Sequence, residues 1–272
     1  MIKIQTVKKG AELVSIKMND IEKMHDGESF WNRHSPVLFP IVGKLKDGKT
    51  TIMGNEYFMG QHGFARDMEF EEIGEHQYVL KANDETLSKF PFRFELYISY
   101  EVEGNKVITK YKVVNKDDKT MYFGLGGHPA FACEYSSGKY RLEFEDIETD
   151  VEIYQLEDGL VKLEPEKTNK FIRENRVFLD NHVFQKDAVI MKNLNSSKVY
   201  LKTETKTILA FEFKEFPYLA FWSKPDAPFV CIEPWFNTAD KVNSNGIFDE
   251  KEDLIEIEPN QEFTAEYSVE FF

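Results

Sequence analysis

Phe-Arg-Phe-Glu-Leu-Tyr-Ile-Ser-Tyr-Glu-Val, residues 92–102, alternates apolar and polar side chains along most of its length. A period of two predicts a β-strand with one face buried and the other face in water. Gly104 and Asn105 then form a turn, and residues 106–113 resume the alternation, so the two runs together predict a β-hairpin. Residues 263–271 alternate in the same way near the other end of the chain.

Shorter strand-like runs fill much of the remaining chain, and no stretch carries four turns of helical period. The runs are residues 2–7, 12–18, 69–73, 78–81, 140–145, 151–155, 188–192, 199–202, 208–213, 218–222 and 229–232. Many strands without long helices predict an all-β protein, a large β-sandwich with a concave face that suits polar ligands such as sugars. We expect residues 1–272 to form one domain, with the charged residues 157–181 as a loop excursion.

Charge and cysteine content argue against several classes of function. The 34 lysines and arginines against 48 aspartates and glutamates give a net charge of −14, which disfavours nucleic acids and anionic membranes as partners. Cys133 and Cys231 are far apart and no CxxC motif occurs, so neither a disulfide nor a structural zinc site is expected. With no signal-like start and no apolar run of about 18 residues, the sequence predicts a cytoplasmic protein.

Two histidines lie among glycines. Gly60 and Gly63 bracket His62, and a glycine-rich run at residues 124–127 precedes His128. Glycine permits backbone turns that can push a neighbouring side chain into a cleft. Each histidine could instead close a turn by bonding to the backbone, and the residues alone leave both interpretations open.

An apolar run at residues 227–232 ends in Glu233, followed by Pro234 and Trp235. A glutamate at the end of a buried strand has a raised pKa, which suits a general base near neutral pH. Glu233 could equally cap a turn. Trp235 could stack on the apolar face of a sugar ring or complete the core.

The same side chains could form a metal site. His62, His128 and Glu233 would supply two nitrogens and a carboxylate, but neither HExxH nor His-x-His occurs, so no metal is expected. Cys133 and Cys231 are flanked by apolar residues, which is typical of core thiols, and no GxSxG motif indicates a serine nucleophile.

Four segments, taken in order, resemble the aldose 1-epimerase (galactose mutarotase-like) family. They are PVLFPIVGK at residues 36–44, HGFAR at 62–66, GHPAF at 127–131 and CIEPW at 231–235. The resemblance implies a large β-sandwich and an enzyme without a cofactor that interconverts the α and β anomers of an aldohexose. It implies that Glu233 takes the proton of the C1 hydroxyl while His128 protonates the ring oxygen.

The resemblance also implies how the sugar is held. His62 would hydrogen-bond the substrate and support the charge on the ring oxygen, and Asp187 would hold sugar hydroxyls, with Asp180 as its rival. Lys44 stands where many members carry an arginine, which keeps the charge but loses the two-pronged donor geometry. The full set expected to bind substrate is His62, Asp187, Lys44, Arg66 and Trp235.

Three other functions stay open. A hexose-6-phosphate 1-epimerase, from a related branch, needs a phosphate pocket. Arg66 lies close to His62, but the other five arginines are not grouped around the motifs, and the net charge repels a dianion. A silent sugar-binding module would use the same fold without catalysis. A glycoside hydrolase would need opposed carboxylates such as Glu233 and Asp187. In each case the expected partner is a small sugar, and the protein is a monomer or a homodimer.

Overall fold

Antiparallel β-strands make up nearly all of the regular structure in the computed structural model, which describes residues 1–166, 171–180 and 182–272. In the first half the strands are β1 (Ile2–Thr6), β2 (Leu13–Met18), β3 (Ile21–Glu22), β4 (Val37–Leu38), β5 (Lys49–Ile52), β6 (Asn55–Phe58), β7 (Glu71–Gly74), β8 (Gln77–Lys81), β9 (Phe94–Glu103), β10 (Lys106–Asn115), β11 (Met121–Phe123), β12 (Gly126–Gly127) and β13 (Ala130–Ala132).

The second half adds twelve described strands and little helix. They are β14 (Arg141–Phe144), β15 (Glu152–Tyr154), β16 (Leu156–Glu157), β17 (Leu160–Val161), β18 (Arg176–Phe178), β19 (Val189–Lys192), β20 (Lys198–Lys202), β21 (Thr207–Glu212), β22 (Tyr218–Trp222), β23 (Phe229–Trp235), β24 (Ile255–Ile257) and β25 (Glu262–Phe271). The described helices are one α-helical turn, Asp84–Leu87, and 3₁₀ turns at Lys46–Gly48, Ala65–Asp67, Tyr135–Ser137 and Phe248–Glu250.

The hairpin predicted from residues 92–113 lies within a nine-stranded sheet. Its strands follow the order β18-β14-β20-β21-β25-β10-β9-β8-β7, with Leu96 opposite Val113 in the hairpin and Tyr111 opposite Ala265 in the next pair. Leu96 and Val113 are fully buried, because the alternating pattern turns one face of the sheet inward. The C-terminal strand β25 therefore pairs directly with this hairpin.

A seven-stranded sheet forms the second layer, in the order β15-β19-β22-β23-β12-β4 with β13 also paired to β23. Its inward side chains join inward side chains of the nine-stranded sheet in one apolar core. Phe221 of β22 lies 6.1 Å, ring centre to ring centre, from Phe144 of β14. Phe131 of β13 lies 6.0 Å from Phe211 of β21. These contacts between sheets confirm the predicted all-β sandwich.

Every predicted strand run contains a strand, but some strands were not predicted from the sequence. The run predicted at residues 229–232 continues through Glu233 to Trp235 as β23, so the glutamate lies within a strand rather than at its end. The predicted excursion at 157–181 contains β17 and β18, while residues 167–170 and 181 lie outside the described residues. In the described part of the chain, no helix is long and apolar enough to cross a membrane.

Candidate active site

A cleft of about 370 Å³ opens on the outer face of the seven-stranded sheet. Side chains of β19, β22 and β23 that point away from the core form its floor, and loops bring the remaining walls. Of the predicted site residues, six line this cleft: His62, Arg66, His128, Asp187, Glu233 and Trp235. Lys44 does not line it. Segments from distant parts of the chain therefore converge on one cavity.

Glu233 lies on the cleft floor because strand alternation turns it away from Ile232, which enters the core. The residue opposite it on β22 is Ala220, whose small side chain is fully buried. The Glu233 side chain is completely buried, and neither carboxyl oxygen has a hydrogen-bond partner within the described chain. Burial, assisted by the nearby charge of Asp187, raises the pKa of Glu233 well above its usual value.

His128, which directly follows the glycine-rich segment, lies beside Glu233. Its Nε2 atom lies 3.1 Å from Oε2 of Glu233, although the two atoms are not aligned as a hydrogen bond, and its Nδ1 atom has no partner among the described residues. Glycine is required here because a Cβ on Gly127 would lie 2.8 Å from the Tyr267 ring, and one on Gly126 would lie 2.7 Å from the Trp235 ring.

Packing rather than hydrogen bonding holds the His128 ring. The Trp31 ring lies 4.8 Å away and the Trp222 ring 5.6 Å away, centre to centre. Burial, together with the positive charges of Arg66 and Arg33, lowers the pKa of His128 to about 3. Burial therefore favours the neutral forms of both His128 and Glu233.

His62 occupies a strained turn that fixes its tautomer. Its φ angle is 65°, and the next residue is Gly63, where a Cβ would lie 2.2 Å from the Phe39 carbonyl oxygen. The Gly43 N–H donates to His62 Nδ1 at 3.0 Å, and the His62 N–H donates to the Gly43 carbonyl at 2.7 Å. Because Nδ1 accepts a hydrogen bond, the neutral ring carries its proton on Nε2.

The pKa of His62 also points to a neutral ring. Burial, then the charges of His128, Arg66 and Arg33, lower that pKa well below its usual value. The ring lies 5.6 Å from the His128 ring, centre to centre. His62 can therefore act as a hydrogen-bond donor inside the cleft.

Three positively charged side chains line the cleft. They are Arg33, Arg66 and Lys224, which come from different parts of the sequence. Arg33 donates to Asp67 at 2.9 Å, while Arg66 Nε is 3.9 Å from the same carboxylate and has no hydrogen-bond partner in the described chain. Burial and the charge of Arg33 lower the pKa of Arg66 to about 10. The two guanidinium groups thus share one carboxylate.

The structure distinguishes the positions of the two candidate aspartates and of Lys44. Asp187 lines the cleft with a φ angle of 141°, an unusual conformation for a side chain other than glycine. Asp180 does not line it, and its carboxylate accepts from the His182 N–H at 2.8 Å. The Lys44 ammonium group donates to the Asp158 carbonyl at 3.0 Å, which ties it to the loop beside the cleft.

Sequence reasoning missed Trp31, Arg33, Gln61, Trp222 and Lys224, all of which line the cleft. Two features of the sequence could have indicated some of these residues. Trp31 and Arg33 come just before the segment at residues 36–44, and Trp222 ends a predicted strand. No local pattern identifies Lys224. All three tryptophans of the chain, Trp31, Trp222 and Trp235, line this one cleft.

Comparison with known proteins places this chain in a family. The sequence profile of aldose 1-epimerases matches residues 2–269, so the chain belongs to the aldose 1-epimerase family. The plasmid form of protein LacX from Lactococcus lactis subsp. lactis is 30% identical over 279 residues, covering 96% of this chain and 93% of that protein.

Two solved structures extend the likeness. A galactose mutarotase related enzyme from Lactobacillus acidophilus matches with a TM-score of 0.91 and 32% identity, covering 100% of this chain and 95% of that chain. A galactose mutarotase-like protein from Lactobacillus casei matches with a TM-score of 0.93 and 28% identity, covering 100% and 97%. The family predicted from four short segments is thereby confirmed.

Proposed function

We propose that this protein is a mutarotase that interconverts the α and β anomers of an aldose, with Glu233 and His128 moving the protons. The observation that carries the proposal is the 3.1 Å contact between the Glu233 carboxyl group and the His128 ring at the buried floor of a sugar-sized cleft. The C1 hydroxyl and the ring oxygen are bonded to the same carbon atom, so two adjacent side chains can reach both. Each positioned proton transfer contributes about 10²–10⁴-fold.

The pair works with one shared proton. In the free protein burial places it on Glu233, since the pKa of the carboxyl is raised and the pKa of the imidazole is lowered. Transfer to His128 produces the carboxylate and the imidazolium. Glu233 then takes the C1 hydroxyl proton while His128 protonates the ring oxygen, and the ring opens. The open chain therefore faces neutral His128 and protonated Glu233, the pair that burial favours, and closure on the other face reverses both transfers.

Three further side chains hold the sugar in this proposal. His62 donates a hydrogen bond from Nε2 to the sugar at or near its ring oxygen, which is consistent with the fixed tautomer of His62. Asp187 accepts hydrogen bonds from sugar hydroxyls, and Trp235 presents a ring face to the apolar side of the pyranose. Lys44 contributes through the Asp158 loop rather than by contact with the sugar.

Polarimetry of freshly dissolved α anomers tests the proposal directly. The purified protein should accelerate mutarotation of at least one of glucose, galactose, xylose and arabinose well above the spontaneous rate. Sugar binding measured by calorimetry without faster anomer exchange would instead favour a silent binding module. Release of nitrophenol from nitrophenyl glycosides would favour the hydrolase.

A phosphorylated aldose is the second candidate substrate, because the cleft is locally cationic in a protein of net charge −14. The described lining residues include three cationic side chains, those of Arg33, Arg66 and Lys224. They include two carboxyl groups, those of Glu233 and Asp187. The two arginines also lower the pKa of His128. An anionic substituent beside them would offset that effect and help His128 hold the proton it must deliver.

Exchange NMR at anomeric equilibrium separates the two substrates without a pure anomer. If the two arginines bind the phosphate group, Arg33→Gln and Arg66→Gln should each raise the KM for glucose 6-phosphate about 10–100-fold. This is the fold-change that corresponds to the free energy of one hydrogen bond to a charged group. The KM for glucose should change much less, and Arg93→Gln, at an exposed arginine outside the cleft, should change neither. Equal losses with both sugars, or no acceleration of glucose 6-phosphate, would refute this candidate.

A further inference from the structure

A buried thiol lies directly behind the acid–base pair. Cys231 precedes Glu233 by two residues on β23, so both side chains leave the strand on the same face. Ala130 is opposite Cys231 on β13, and His128 lies two residues before Ala130. The strand pairing that positions the catalytic groups therefore also brings the thiol against them. Neither the proton transfers nor the sugar contacts described above use it.

The three side chains supply donor atoms close enough to share one cation. One nitrogen of His128, the sulfur of Cys231 and one oxygen of Glu233 all lie within 4.8 Å of one another, and all three residues are buried. His62 is not in this group, so the set differs from the one that the sequence suggested. Nitrogen, sulfur and carboxylate oxygen are the ligands of zinc sites in proteins.

We propose that His128, Cys231 and Glu233 form a binding site for zinc or a similar thiophilic divalent cation, and that the bound cation switches the enzyme off. The carboxyl oxygens of Glu233 have no hydrogen-bond partner among the described residues, so they are free to coordinate a cation. His128 and Glu233 line the cleft, which supplies the route of entry to the thiol behind them.

The distances are compatible with coordination after a small adjustment. Metal–ligand lengths of about 2.0–2.3 Å place the donor atoms of one tetrahedral zinc roughly 3.3–3.8 Å apart. The His128 to Glu233 separation of 3.1 Å is close to this value. Coordination requires the widest separation, which is at most 4.8 Å, to shorten to this range. Because His128 and Glu233 line the cleft, water or a sugar hydroxyl could reach the metal from there as a further ligand.

Zinc coordination and catalysis are mutually exclusive, because both need the same lone pairs and protons of Glu233 and His128. Zinc binding displaces one proton from the Cys231 thiol and one from the Glu233 carboxyl group, and it takes the free lone pair of the His128 ring. Glu233 can then no longer accept the C1 proton, and His128 can no longer deliver one. A cation at this site is consequently an inhibitor and not a cofactor.

Cobalt and zinc test the site with a matched pair of cysteine variants. Cobalt(II) added to the wild-type protein should give a sulfur-to-cobalt charge-transfer band in the near ultraviolet with one ion per chain. Cys133→Ser, at the other buried cysteine of the chain, should keep the band, and Cys231→Ser should lose it. Zinc inhibition of mutarotation should require a concentration at least about tenfold higher for Cys231→Ser than for the wild type.

The spectrum remains informative if the proposed function fails, since it does not depend on turnover. Cys231→Ala, which removes the donor atom and fills similar space, checks that a changed fold does not explain the loss. The proposal is overturned if the wild type shows no thiolate band, if Cys231→Ser and Cys231→Ala retain it, or if zinc inhibits wild type and both Cys231 variants equally.

Discussion

Glu233→Gln keeps the shape of a buried side chain and removes its ability to accept a proton. The carboxyl group is completely buried, and Asp187 is the other carboxylate among the described residues lining the cleft. No equivalent base can therefore take over at the floor. The loss should approach the upper end of the 10²–10⁴-fold range for one proton transfer, or about 4–5 kcal/mol in activation free energy.

The assay is the rate of optical rotation change for the best sugar of the panel, with the spontaneous rate subtracted. Glu148→Gln is the matched control, because Glu148 is also buried but accepts from the backbone N–H groups of Asn195 and Ser196 at 2.6 and 3.0 Å, outside the cleft. It should lose stability, since hydrogen bonds to a charged acceptor are worth about 1.5–3 kcal/mol each, while folded molecules keep full activity.

A Glu233→Gln rate within tenfold of wild type, in protein with a native circular dichroism spectrum, would refute the base assignment. A loss of the same size in folded Glu148→Gln would show instead that the assay reports damage to the sandwich. Both variants conserve side-chain volume and replace one carboxyl oxygen by an amide nitrogen, so the comparison isolates the role of the carboxyl group in the cleft.

Three other substitutions or conditions give defined outcomes. Asp187→Asn should lower kcat/KM about 10–100-fold through the loss of a charged hydrogen bond, while Asp180→Asn should change kcat/KM less than about twofold. A larger loss for Asp180→Asn than for Asp187→Asn in polarimetric kinetics would make Asp180 the residue that binds the sugar. Ala220→Leu should overpack the buried position opposite Glu233, displace the carboxyl group and reduce kcat/KM at least about tenfold, whereas unchanged kinetics in polarimetry would contradict a catalytic role for the precise position of that group. Because the pKa of Glu233 is raised in the folded state, the unfolding free energy of the wild type should fall relative to that of Glu233→Gln as pH rises above about 4.3. Urea unfolding at pH 5 and pH 8 should show this relative fall, and a difference between the two proteins that does not change with pH would contradict the raised pKa.

The fold could be predicted because its signal is local. Alternation along residues 92–113 and 263–271 specifies which face of each strand is buried, and the structure follows that assignment. The hairpin of β5 and β6 was missed because residues 49–58 are mostly polar or half-exposed and show little contrast between their faces. Very short strands such as β12 depend on tertiary pairing rather than on propensity.

The candidate site was predictable where sequence motifs carry it and unpredictable where charges assemble in space. Strand alternation alone would place Cys231 beside Glu233, yet the cysteine was assigned to the core because its neighbours are apolar. Lys44 was expected to contact sugar from its motif position, but its side chain reaches the Asp158 carbonyl. Arg33 could not be joined to Arg66 from the sequence, since 32 residues separate them and folding alone brings them to one wall.

Because every tryptophan of the chain lines the same cavity, the intrinsic fluorescence of the protein should report on ligand binding there. Trp31, Trp222 and Trp235 account for all the tryptophan emission of the chain, and each one borders the space that a ligand would fill. Any sugar, phosphorylated sugar or metal ion entering there should shift or quench the intrinsic fluorescence without a label. A single titration series could therefore rank ligands, including those that bind without being turned over.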